Sequence, residues 1–301
     1  MALGGNVLRQ HVVEFIRGTG VVTDGVVDAT SLNGPWNWQV PEGVAELTMD
    51  AAAGGQSGMG GAPVTGGITS AGGGAAGVNG ACLSGAKLAV RPGSLMTITL
   101  GAGGAATAAG QRGIDGGDTI VAGALAANFA RSQVAQIRLA GGNAWQNNQP
   151  TAVSSGQGLG SNGVTGNAPA VGTNALGAVS AFTGVFMVGR DSGAPTAHGG
   201  AGNATGSVAG FSGGSLQSFN ELFGRLHPLE LAAAGATNGT TSIGGGGQGA
   251  PSLFGRGGNG GSNAAGENSP SYGAGGGGGA GGFGGGAGGD GYLRFTYWSM
   301  D

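Results

Sequence analysis

The sequence has one cysteine, one lysine and little charge: beside Cys82 and Lys87 there are ten scattered arginines, charged residues make up 8% of the chain, and the net charge is −3. A lone cysteine forms no internal disulfide, so oxidative cross-linking is not the source of stability. No two basic residues are adjacent. The chain therefore carries no cationic footprint for a phosphate backbone, and nucleic acid is not an expected partner. No apolar run approaches the ~20 residues with which a helix crosses a bilayer, so membrane insertion is not expected either. The opening residues 1–15 lack the charged, apolar and cleavage regions of a signal peptide, which predicts synthesis in the cytoplasm without export by the general secretory route.

What the chain has instead is glycine, 76 residues in 301. Glycine-rich chains without a collagen period are usually disordered, but disorder goes with high charge and low hydrophobicity. Here the mean hydropathy is +0.09, and the apolar residues gather in short runs separated by glycine tracts. The end of the chain shows this most plainly. A tract over 273–291 that is almost all glycine passes into 292–298, where Leu293, Phe295 and Tyr297 alternate with Tyr292, Arg294, Thr296 and Trp298. Such alternation with so many aromatics is a half-buried strand. A strand this bulky must pack on something, so the glycine tract before it is held at both ends.

Residues 1–32 form an arm. A helix over 7–16 would place Leu8, Val12, Phe15 and Ile16 on one side, but the valine pairs punctuated by Gly18, Gly20 and Gly25 favour short strands. The arm either adds a strand to its own sandwich or docks on a neighbouring subunit. Next, Trp36, Trp38 and Val40 share a face; Pro41 and Gly43 make a turn; then Leu47, Met49 and Ala51 alternate with Glu46, Thr48 and Asp50. Further on, Pro92-Gly93-Ser94 reads as a three-residue hairpin loop that sets Val90 opposite Met96, Leu88 opposite Ile98 and Ala86 opposite Leu100. Strands are expected at 118–121, 134–139 and 185–188. The centre, about 122–250, reads as an insertion with one short helix, 215–226, whose Leu216, Phe219, Leu222, Phe223 and Leu226 fall at helical spacing before Pro228.

Three blocks, Trp38-Gln39-Val40-Pro41-Glu42-Gly43-Val44, the stretch 86–104, and Gly289-Asp290-Gly291-Tyr292 after its glycine tract, occur in an order that resembles the glycine-rich domain at the ends of bacteriophage tail fibres and related tail proteins. The resemblance spans 33–298 with a divergent centre. It implies a mainly β fold: an antiparallel, jelly-roll-like β-sandwich whose first and last strands come together, with long glycine-rich loops at one end. It also implies a virion protein, commonly a homotrimer, displayed at a tail tip or fibre. Its partners would be other virion proteins, through residues 1–32, and a host surface glycan or outer-membrane protein. In this reading Trp36, Trp38, Pro41, Gly43, Pro92, Gly93, Asp290, Tyr292, Phe295 and Trp298 are structural. The glycine tracts are either irregular loops or polyproline-II segments packed backbone to backbone, which would favour a period of three. Ala280 and Phe283 keep that period, as do Ala287 and Asp290, but the spacing slips between the pairs.

Chemical motifs are weak. Gly158-x-Gly160-x-x-Gly163 neither follows a strand nor opens a helix, and the stretch from Gly80 to Leu88 misses the phosphate-loop pattern at Ala86 and Leu88. One copy of a calcium nonapeptide at 285–292 cannot complete a site shared between successive turns, and Asp290 there reads as a turn cap. His11, His198 and His227 stand apart, so no metal site is expected. Glu42, Glu46, Asp50, Asp115, Asp118 and Asp191 show no glycosidase pattern. No enzyme activity and no cofactor are expected. Trp145, followed by Asn147 and Asn148, is the one candidate surface-binding group, because an aromatic ring stacks on a sugar while amides bond its hydroxyls. Function is therefore expected to be host recognition, with a purely architectural virion role (spike, collar or head decoration) as the alternative. An ice-binding or matrix role would require a regular flat face.

Overall fold

The computed structural model describes residues 7–61, 73–74, 76–123, 125, 136–142 and 245–300, together with the strand backbones of 128–129, 132–133, 178–179 and 185–188. The strands are β1 (Leu8–Ile16), β2 (Gly20–Thr23), β3 (Val26–Asp28), β4 (Trp36–Gln39), β5 (Glu46–Ala52), β6 (Cys82–Ala89), β7 (Leu95–Thr99), β8 (Thr119–Ala122), β9 (Asn128–Phe129), β10 (Ser132–Gln133), β11 (Gln136–Leu139), β12 (Ala178–Val179), β13 (Val185–Val188) and β14 (Tyr292–Met300). They form two six-stranded sheets, in the orders β3-β2-β1-β14-β5-β6 and β12-β13-β11-β8-β7-β4, plus the small pair β9-β10. Pairing is antiparallel except between β11 and β13. The sheets face each other as a sandwich, as alternation predicts, and no helix occurs among the described residues. The helix expected at 215–226 lies outside them.

The arm's destination is decided by β1. It pairs along its whole length with β14, from Leu8 opposite Met300 to Ile16 opposite Tyr292, and on its other side with β2. Val13 and Phe15 are fully buried in the core with Leu293 and Phe295. The core is sealed by aromatic pairs between the sheets: Trp36 lies 5.9 Å from Phe15 and Trp38 lies 5.3 Å from Phe295. Such tilted pairs contribute about 0.5–1.5 kcal/mol each beyond the area they bury. The tryptophan ribbon and the C-terminal strand are thus two faces of one core.

The hairpin expected at Pro92 is not formed. β6 pairs with β5 in the first sheet and β7 pairs with β4 and β8 in the second, so the chain turns a corner there and crosses between sheets. Val40 and Val90 hold that corner, through Gly93 N–H to the Val40 carbonyl (2.9 Å) and Val90 N–H to the Ala45 carbonyl (2.9 Å). Leu88 and Ile98 face each other across the core instead of sitting side by side. Both arrangements bury the same residues, which is why alternation does not separate them.

Beyond the sandwich, the glycine tracts among the described residues are ordered as a bundle of ten extended segments, and β5, β6, β7, β8, β11 and β14 run straight into six of them. In 53–61 the donors repeat every three residues. Gly54, Ser57 and Gly60 donate to Gly117, Ile114 and Gln111; Gly55, Gly58 and Gly61 donate to Gly289, Gly286 and Phe283; Ala53 and Gln56 donate to Ala81 and Val78. A left-handed polyproline-II helix has three residues per turn and no internal bonds, so its N–H groups point in turn at three different neighbours. The stretch 273–280 does the same: Gly275 and Gly278 donate to 245–251, Gly276 and Gly279 to 53–61, and Gly277 and Ala280 to 264–269, while its carbonyls accept from 73–81, 256–261 and 284–291. Each of these two segments is therefore surrounded by six others in a polyglycine-II lattice. Every residue of 273–280 is buried. Only backbone separates the segments: a Cβ on Gly58 would stand 2.0 Å from the Gly277 carbonyl oxygen, and one on Gly277 would stand 1.9 Å from that of Asn259.

Outer segments show the same period in their side chains. Gly101, Gly104 and Thr107 are buried, whereas Ala102, Ala105 and Ala108 are exposed. Side chains complete the bonding where a neighbouring segment is missing. Thr107 Oγ1 donates to the Gly58 carbonyl (2.9 Å) and accepts from Gly285 N–H (3.1 Å), and Asp290 accepts from Gly103 N–H (2.8 Å). Thr119 Oγ1 joins sandwich to lattice, donating to the Ala52 carbonyl (2.8 Å) and accepting from Gly101 N–H (3.1 Å).

Candidate functional site

Two surfaces are candidates for a site. The first is the lattice end remote from the sandwich, where the turns 108–111, 261–264 and 280–283 lie together. Gly110 N–H to Gly61 O (2.8 Å), Gly61 N–H to Phe283 O (2.8 Å) and Ala280 N–H to Ala264 O (3.0 Å) tie them. Phe283 is 39% exposed at this end. Nine residues of 53–61 at ~3.1 Å each set the tip about 28 Å from the sandwich, on a bundle whose rigidity comes from backbone bonds.

The second surface is a groove of about 330 Å³ where β4, the edge of one sheet, meets the β2–β3 ribbon at the edge of the other. Trp36 and Trp38 from β4 form one wall with Phe15 and Val21 behind them, and Thr23, Asp28, Ser31 and Asn37 supply the polar rim. Each wall has a local cause. Trp36 is buried and its Nε1–H donates to the Ser31 carbonyl (2.7 Å), which holds the 29–35 connection against the ring. Trp38 is half-buried on Phe295 and Tyr297. Asn37 Oδ1 accepts from Thr97 Oγ1 (3.0 Å) on the neighbouring strand. The Thr30 amide and then its hydroxyl bond Asp28 and hold its carboxyl below the usual range, so the rim keeps an anion.

Several other acids are engaged one by one. Asp50 occupies a β-bulge opposite Ser84 and Gly85, the latter at φ 66, and accepts from Ser84 Oγ (2.7 Å), Gly85 N–H (2.8 Å) and Arg294 Nη2 (2.7 Å). Burial pushes its carboxyl up, but these three donors together outweigh that and leave it below the ordinary value. Glu14 accepts from the Tyr292 hydroxyl, Asp118 pairs with Arg138, and Glu46 pairs with Lys87. His11 lies 2.8 Å from Asp24 and stacks on Tyr297 at 5.2 Å. Among the described residues no group of three His, Cys, Asp or Glu is placed to hold a metal, and no helix is long and apolar enough to cross a membrane.

A family model described as a glycine-rich domain matches residues 30–298. The chain belongs to that family. No curated protein matches the chain. The match begins after β3, and the groove is lined by residues on both sides of that boundary.

Trp145, Asn147 and Asn148 lie outside the described residues. Within the glycine-rich domain, Trp36 and Trp38 form a groove wall as well as core. Pro41 and Gly43 (φ 80) make the expected turn, with Val44 N–H 3.2 Å from the Pro41 carbonyl. Pro92 and Gly93 form the corner between sheets. Phe295 is core, and Tyr292 stacks on Tyr272 at 4.7 Å, beneath the turns at the near end of the lattice. Trp298 is 56% exposed on the outward face of β14 near Leu8 and Met300. Sequence reasoning missed Thr23 and Asp28, because the groove exists only where two sheet edges meet. The period of three in 101–108 was a readable sign of the lattice.

Proposed function

We propose that this chain is a non-enzymatic bacteriophage virion component, a tail-fibre or tail-tip protein that contacts the host surface, either a glycan or an outer-membrane protein. The observation that supports this reading is the lattice. It holds clustered turns rigidly at a distance from a sandwich, without disulfides or long side chains, and presents exposed turn side chains such as Phe283 at its tip. The reading includes a homotrimer that joins other virion proteins through residues 1–32.

A second, architectural reading is favoured by one feature, the exposed end of the β1–β14 ribbon with Leu8, Trp298 and Met300, which is apolar enough to seat the chain on a particle. Deleting the arm does not separate the two readings, since Val13 and Phe15 are core. The separating experiment uses the labelled full chain, mixed with bacterial cells and with virions lacking this protein. Saturable retention on cells supports host contact. Retention on virions alone gives the architectural reading, and retention on neither refutes both. Sedimentation equilibrium measures the oligomer directly.

A further inference from the structure

We propose that the groove between β4 and the β2–β3 ribbon is a binding site for one neutral pyranoside ring. A volume of about 330 Å³ lies at the small end of the ~300–1,000 Å³ range of ligand sites and suits one sugar, or two at most. Its lining combines what a sugar requires. Trp38, half-buried at the edge of the groove, offers its ring to the C–H face of a pyranose, with Trp36 and Phe15 forming the buried floor beneath it, and Thr23 and Asp28 offer hydroxyl and carboxylate groups at the rim for its hydroxyls.

Charge decides which sugars. The lining includes Asp28 and no lysine or arginine, so a uronic or sialic acid, or a phosphorylated sugar, meets a carboxylate with no cation to offset it. The site is already shaped. Trp38 is fixed on Phe295 and Tyr297, the Trp36 indole is fixed by Ser31, and the Thr30 amide orients Asp28, so binding orders few side chains. Phe15, Val21, Thr23 and Asp28 precede the family match at residue 30, so the match covers only the β4 side of the site. The inference rests on the host-contact reading only for where the sugar comes from.

The test is a titration of the full chain, followed by tryptophan fluorescence and ligand-observed NMR. The probes are the methyl glycosides of glucose, galactose, mannose and N-acetylglucosamine, with methyl glucuronide as the anionic comparison. Saturable binding of at least one neutral glycoside is expected at about millimolar Kd, as befits a single ring, with the glucuronide at least about tenfold weaker. Thr23→Val, at an exposed position, should weaken binding about threefold or more without changing Tm. Trp38→Ala should abolish it, and Trp38→Phe, which keeps a ring against Phe295, should weaken it while staying folded. The proposal is overturned if no neutral glycoside saturates, if the glucuronide binds as tightly, or if the folded groove variants bind like the parent. Retention on cells is measured in parallel: variants that lose the sugar but keep the cells refute the groove as the contact while leaving host contact standing.

Discussion

Replacing Gly58 by alanine tests the lattice at its centre. The new Cβ would stand 2.0 Å from the Gly277 carbonyl oxygen and 2.4 Å from its carbon, where a carbon–oxygen contact needs ~3.2 Å, so 53–61 and 273–280 must part by about 1 Å. The bonds that cross this boundary nearest to residue 58, Gly276 N–H to Gln56 O and Gly279 N–H to Met59 O, are both 2.9 Å, and lengthened by that much they cease to be hydrogen bonds. Two buried pairs left unmade cost about 1–3 kcal/mol each. Alanine returns about 0.4–1 kcal/mol by restricting the unfolded chain, which leaves a net loss of roughly 2–5 kcal/mol. At ~2–4 °C per kcal/mol this lowers Tm by about 4–20 °C. The comparison variant is Ala102→Gly, an exposed position of the same lattice, expected to cost under ~1 kcal/mol. Calorimetry and denaturant titration read both. Equal shifts for the two variants, or a Gly58→Ala Tm within about 1 °C of the parent, would refute a lattice in which backbones touch.

Three further outcomes follow from the joints of the fold. Thr119→Val keeps shape but strands the Ala52 carbonyl and the Gly101 amide, and should cost about 1–3 kcal/mol by denaturant titration, with the midpoint moving and the slope unchanged. Asp50 has a folded pKa below its unfolded value, so its contribution is present above about pH 4 and is lost as pH falls through the lower folded value. Asp50→Asn should flatten the acid limb of the stability–pH curve, and an unchanged limb would assign that dependence to other groups. All three tyrosines are shifted upward, Tyr292 by burial and then by Glu14, Tyr272 by burial and then by Glu14, and Tyr297 by burial and then by Asp24. Their contribution is present below the unfolded value of about 10 and is lost as pH rises through the folded values, so tyrosinate absorbance should appear late and together with unfolding; early titration of even one ring in the folded chain contradicts the packing.

By itself the sequence determined the strands. Alternation around Trp36 and Trp38, from Leu47 to Ala51, and from Leu293 to Tyr297 marked one buried face each, because a period of two is a local property of the backbone. It also marked the turn at Pro41–Gly43. Tertiary structure alone decided partners. The corner at Pro92–Gly93 buries Leu88, Met96 and Ile98 whether the strands pair or cross the core, and the arm's valines suit either its own sheet or a neighbour's. In the lattice, glycines such as Gly55 and Gly58 are identical as letters, and which carbonyl each amide meets is set by six surrounding segments drawn from residues as far apart as 53 and 291. The groove has the same origin: Asp28 and Trp38 come to line one space only once two sheet edges, from different strands of the chain, close on it.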